Sequence, residues 1–234
     1  MSDRGPWFQT ASGRAFFPHH PEPEDVFLSD IARGLSMQCR FNGQCNSFYS
    51  VATHSLLISL RVAPVEELDV LKRATSAIGR AAYVDLVHLG LVGLMHDAAE
   101  AYVGDLVSPI KHVEALRPFR DIENQIARAI SMRFDYLSYS SGNKSYETAP
   151  VVKEADRRML LTEKRDLRQP GKHGTAPWKE EAAGLSPYED LKLRGESPER
   201  AEELFLERFH ELWQRKTGSG WDDEIEAQPQ EEAK

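Results

Sequence analysis

Val84–Lys111 reads VDLVHLGLVGLMHDAAEAYVGDLVSPIK, and its first half is nearly free of polar residues. Leu86, Val87, Leu91, Val92, Leu94 and Met95 form an apolar run, His96-Asp97 interrupts it, and Ala98, Ala99 and Ala101 follow. The pattern predicts a buried helix carrying His96, Asp97, Glu100 and Asp105 where a core helix ordinarily carries nothing polar. A buried ionised carboxylate is costly unless it is paired or bound to a metal. At i and i+4, His96 and Glu100 share a face of an ideal helix, with Asp97 turned about 100° from His96. Imidazole and carboxylate together suit a borderline divalent metal. Gly104 is the expected stop, and Pro109 resists continuation. An adjacent His-Asp is by chance usually a cap or a surface pair, so its weight rests on ligands elsewhere in the chain.

Towards the N-terminus, Ser50 is a good N-cap for a helix over Val51–Leu60, and His54 lies one turn inside it. Taken alone, His54 reads as a hydrogen-bonded core histidine. Arg40 and Phe41 precede an Asn42-Gly43 turn. Asp25–Ser36 has a helical apolar face, and residues 1–24 read as an extended or hairpin-like lead whose Trp7, Phe8, Phe16 and Phe17 pack on the domain. His19 and His20 fall in a loop. Residues 64–79 form a polar helical connector, and His88 is expected to pack rather than bind metal. Towards the C-terminus, helices are expected over Val113–Phe134, Val151–Leu167 and Glu199–Lys216. Asp156 borders the apolar face of the second of these; its plain reading is a surface ion pair. Residues 136–150 are a polar loop, and 169–187 a long loop anchored by Trp178. From Gly218 the composition is acidic and predicts a disordered tail. The expected fold is therefore an all-α helical bundle, one domain over 1–217 with a tail over 218–234.

The 234 residues suffice for one sizeable core. A net charge of -8 with no basic stripe argues against nucleic-acid and anionic-membrane partners. Cys39 and Cys45 are expected as free thiols. No signal-peptide run and no stretch of about 18 apolar residues is read, so the expectation is a cytoplasmic protein.

His54, His96-Asp97 and Asp156 fall in the order H … HD … D, each on or beside an otherwise apolar helix. This order resembles the HD-domain superfamily of metal-dependent phosphohydrolases. The stretches SVATHS (50–55) and HDAAEAYVGDLVSPIK (96–111) are similar to the bacterial 5′-deoxynucleotidase subgroup. The subgroup pattern HDxxExxxGDxxxPxK is met by His96, Asp97, Glu100, Gly104, Asp105, Pro109 and Lys111. Arg40 followed by an aromatic also matches, although the aromatic there is commonly Trp and here is Phe41. The resemblance spans roughly residues 25–168 and implies an HD-type helical bundle.

The resemblance implies that His54, His96, Asp97 and Asp156 hold one divalent ion (Mn, Co, Mg, Fe, Ni or Zn). It makes Glu100 and Asp105 the candidates to orient water and move protons, with their order open. Arg40 would hold the phosphate or nearby sugar, Lys111 would offer a point charge to the same group, and Phe41 would stack on sugar or base. The implied activity is hydrolysis of a deoxynucleoside 5′-monophosphate to nucleoside and phosphate. The alternatives are triphosphohydrolysis of a deoxynucleoside triphosphate and, in a different class, a non-catalytic metal-bound module that senses nucleotides. Hydrolysis of alarmone nucleotides shares the metal set without the Arg40 and Gly104-Asp105 matches. Members of this group often form homodimers.

Overall fold

The computed structural model describes residues 4–136, 149–172 and 176–221. It is all-α apart from one small hairpin. The hairpin pairs β1 (Phe8–Gln9) antiparallel with β2 (Ala15–Phe16) and belongs to the expected lead. Asp30 pins it down by accepting the Ser12 N–H at 2.7 Å and the Ser12 hydroxyl at 2.8 Å. The helices are α1 (Leu28–Met37), α2 (Val51–Val62), α3 (Val65–Lys72), α4 (Ala77–Met95), α5 (Glu100–Val103), α6 (Ser108–Lys111), α7 (Arg117–Phe134), α8 (Pro150–Leu167), α9 (Lys179–Ala182) and α10 (Pro198–Thr217).

The caps follow the sequence closely. Ser50 accepts the Thr53 N–H at 3.1 Å and starts α2. Ser76 and Ser197 do the same for α4 and α10. Gly104, at φ 87°, ends the α4–α5 run where expected. The polar connector resolves into α3 and a short turn before Ser76.

The core sits where α2, α4 and α10 meet, with α1 against α10 and α2, and α8 against α2. Two glycines let α4 come close. A Cβ at Gly93 would lie 3.0 Å from Val62 and 3.1 Å from the Ser59 Cα; one at Gly90 would lie 2.8 Å from Leu212 and 3.0 Å from Ala63. The Ser59 hydroxyl fills the gap by donating to the Gly90 carbonyl at 2.8 Å. Close approach of α4 to α2 brings the two histidine-bearing segments together.

Two expectations change. The run 77–103 is long and apolar enough, by length and composition alone, to cross a membrane, with a mean hydropathy of 1.3 over its best window. It carries few charged residues, and within it Gly90–Met95 is buried core. Second, the helix is not regular through His96-Asp97. Ala98, Glu100, Ala101 and Tyr102 donate to carbonyls three residues back, so the chain tightens into 3₁₀-type turns between α4 and α5. In a 3₁₀ segment i and i+3 eclipse, which aligns Glu100 with Asp97 rather than with His96.

Cys39 and Cys45 are free, with their sulfurs 3.5 Å apart. Trp221, assigned by sequence to the tail, packs against Phe134, Phe209 and Trp213. The expected disordered tail beyond it, most of the 136–150 loop and part of the 169–187 loop lie outside the described residues.

Candidate metal centre

His54 is fully buried on the first turn of α2. Its Nδ1–H donates to Glu163 Oε1 at 2.6 Å, which turns Nε2 the other way. His96 Nδ1–H donates to the Gly93 carbonyl at 2.8 Å. A carbonyl can only accept, so Nδ1 carries a proton and Nε2 is the nitrogen that faces the carboxylates, with a lone pair to offer an ion whenever it is deprotonated. Both Nε2 atoms are buried without a hydrogen-bond partner. The two rings are 5.3 Å apart.

Carboxylates close the same spot. Asp156 Oδ1 on α8 lies 3.2 Å from His54 Nε2. Asp97 Oδ2 lies 3.0 Å from His96 Nε2 and 3.7 Å from His54 Nε2. His54, His96 and Asp156 each present one ligand atom within 4.8 Å of the others, a set that could hold a metal ion. Orphaned, buried imidazole nitrogens opposite carboxylates are a poor arrangement for a metal-free core and a good one for a cation. The donor set therefore fits a divalent ion.

Charges in the cluster shift one another. Burial alone would lower the His96 imidazole, but the adjacent Asp97 carboxylate pushes it up to about 9. Burial would raise Asp97, yet His96, His54 and Arg40 hold it well below the usual carboxylate range. Glu100 is driven well above that range by burial, reinforced by Asp97 and Asp105. Burial also raises Asp105, Arg40 draws it down, and the charge on Asp97 adds to the rise.

Around the cluster, Arg40 is buried, with Nη1 3.8 Å from Asp97 and Nε and Nη2 each 3.2 Å from Glu163. Gln38 spans the next shell: its Nε2 donates to the Glu100 carbonyl at 2.8 Å, and its Oε1 accepts the Asp105 N–H at 2.9 Å. Lys111 is engaged by two carboxylates, Glu100 at 3.1 Å and Glu123 at 2.5 Å. It holds Glu100 by Oε1, while Glu100 Oε2 is buried without a partner.

Phe41 and the following Asn42 adopt left-handed backbone, at φ 58° and 52°. A bulky residue there is an outlier, a strain seen often at functional sites. The Phe41 ring is covered: Trp178 stands 6.4 Å away, and the Arg168 guanidinium lies 5.0 Å from Phe41 and 5.4 Å from Trp178. Trp178 is thus the anchor expected for its loop, and its anchoring partner is the residue next to Arg40.

Two residues escaped the sequence reading. Glu163 lies seven residues beyond Asp156, two turns along the same face of α8, and that periodicity could have found it. Gln38 carried no signal, since only the folding of the α1 C-terminus against α5 brings it to Glu100 and Asp105.

No known family profile matches the chain. An uncharacterized protein of Rhodobacter capsulatus is 35% identical over 130 residues, 55% of this chain and 58% of that protein. The uncharacterized protein YfdR of Escherichia coli K12 is 31% identical over 206 residues, 88% of this chain and 95% of that protein. At that identity and coverage, the chain belongs to the same family as YfdR.

Proposed function

We propose that the chain is a divalent-metal-dependent phosphohydrolase of the HD type, acting on nucleotides and releasing orthophosphate from a deoxynucleoside 5′-monophosphate. The observation that carries the reading is the pair of buried, partnerless Nε2 atoms of His54 and His96 converging with Asp156. Asp97 completes the donor set proposed from the sequence.

An ion held by these four residues would supply Lewis-acid polarisation of a phosphate oxygen and a bound water of lowered pKa. The remaining work belongs to the chain. Arg40, fixed at Nε and Nη2 by Glu163, presents a rigid guanidinium beside the cluster for phosphate oxygens. Glu100, held at Oε1 by Lys111, has Oε2 free to hold or pass a proton. Asp105 sits at the mouth of the same segment, its backbone fixed by Gln38. Lys111 acts through Glu100 rather than on the phosphate. A sensing module would need neither Glu100 nor Asp105.

One observation favours a second substrate. The cationic Arg168 lies against the same Phe41 ring as Arg40, at 5.0 and 5.5 Å, so the two guanidinium carbons are no more than 10.5 Å apart. A triphosphate would use such an extra cation. Chelator-stripped protein, reloaded with manganese, cobalt or magnesium, is assayed against deoxynucleoside mono- and triphosphates. Metal-dependent orthophosphate from monophosphates supports the proposal. Release of inorganic triphosphate selects the second substrate. No release with any metal, despite tight metal binding, overturns the enzymatic reading in favour of a sensing module.

A further inference from the structure

Glu163 is fully buried on α8, and its two oxygens serve two different donors of the site. Oε1 accepts the His54 Nδ1–H at 2.6 Å; Oε2 meets Arg40 Nε and Nη2 at 3.2 Å each. Burying a carboxylate is costly unless it is paired and its remaining lone pairs are hydrogen-bonded. This carboxylate divides itself between the imidazole of His54 and the guanidinium that reaches Asp97. Both oxygens of Glu163 are thus engaged as acceptors, one by each residue.

We infer that Glu163 is the positioning residue that joins the two halves of the site: it fixes the His54 tautomer and ring angle for the ion, and it fixes the Arg40 fork for the phosphate. The inference rests on the metal reading above. Histidine ligands depend on such carboxylates for orientation and basicity. Here the same group also orients the anion-binding residue, so disturbing it weakens both binding events. Glutamine cannot replace it, because it offers one acceptor and one donor, and either His54 or Arg40 loses its acceptor. Aspartate keeps two acceptors at a shorter reach.

The test uses the full chain, its E163Q and E163D variants, and binding rather than turnover. Stripped protein is titrated with Zn²⁺ against a chelating dye, then with orthophosphate at metal saturation; histidine ring ¹⁵N shifts report the His54 tautomer without metal. E163Q is expected to lose roughly 10–100-fold in metal affinity and about tenfold in orthophosphate affinity. It is also expected to lose the Nδ1-protonated preference of His54. E163D is expected to recover part of each. Metal affinity within twofold of the parent in E163Q overturns the inference, as does a metal loss with orthophosphate affinity unchanged. Should E163Q fail to fold, the same comparison is made with E163D, where parental values for both ligands overturn it. A parent chain that binds no Zn²⁺ overturns the metal reading instead, and the His54 tautomer then decides the role of Glu163 by itself.

Discussion

Arg40 and Arg208 are both buried, one near each end of α2, and they are satisfied in different ways. Arg208 on α10 donates to the Ser59 hydroxyl at 3.0 Å, the Ser59 carbonyl at 3.3 Å, the Ala63 carbonyl at 2.5 Å and Glu211 at 2.6 Å. It caps the carbonyl end of α2, where a cation also suits the helix dipole. Ser59 passes the chain of bonds on to Gly90 of α4. The ion partners of Arg40 are the carboxylates Glu163 and Asp97, and the groups around it include His54 Nε2, His96 Nε2 and Glu100 Oε2, all buried without a hydrogen-bond partner. A closed polar network fastens helices to one another. An open one, with its donors and acceptors already aimed, is built for something that binds.

That contrast can be broken by experiment. The largest effect is expected at the open end. His54→Ala should abolish metal binding and lower turnover by at least about 10³-fold while the far-ultraviolet spectrum is preserved. Full metal content, measured by atomic emission, would remove His54 from the ligand set. Glu100→Ala comes next: metal retained, with turnover down by about 10²–10⁴-fold. Unchanged turnover in that variant would mean the free Oε2 is merely buried.

At the closed end the readout is stability. Arg208→Ala should cost about 2–4 kcal/mol in urea unfolding, because it removes the donor of the Ala63 carbonyl and the buried bonds to Ser59. Its metal affinity should match the parent under native conditions. A variant as stable as the parent but defective in metal binding would reverse the assignment of the two ends. The smallest effect is expected at Ser50→Ala, about 1 kcal/mol from loss of the α2 cap. A drop in metal affinity there without a drop in stability would show that the cap serves the His54 turn rather than the whole helix.

Much of the fold was legible because local signals and burial agree. Ser50 marked the start of α2 and Gly104 the end of the α4–α5 run. The spacing of Ile126, Ile130 and Phe134 anticipated the buried stripe of α7. Where two demands compete, the sequence misled. The apolar length of the His96 segment suggests a regular helix, yet its hydrogen bonds shift to three-residue spacing at the polar pair. Periodicity cannot report that change. Lys111 reads as a cation available to a ligand, and only the folded chain brings Glu123 of α7 beside it and turns it into a clamp on Glu100. The run 77–103 does not read as a continuous apolar stretch, because Arg80, Asp85, His88 and the His96-Asp97 pair interrupt its large apolar residues.

By itself the sequence determined which residue types interrupt apolar helices, and hence that His54, His96, Asp97 and Asp156 needed an explanation. It determined the helices too, since caps and periodicity are local properties. Only the tertiary structure decided that these side chains converge, that both histidines aim Nε2 inward, and that Glu163 links His54 to Arg40. Those facts depend on the approach of α8 and α4 to α2, set by Gly90, Gly93 and the packing of the core. The relation between residues far apart in the chain is a property of packing, which no local pattern encodes.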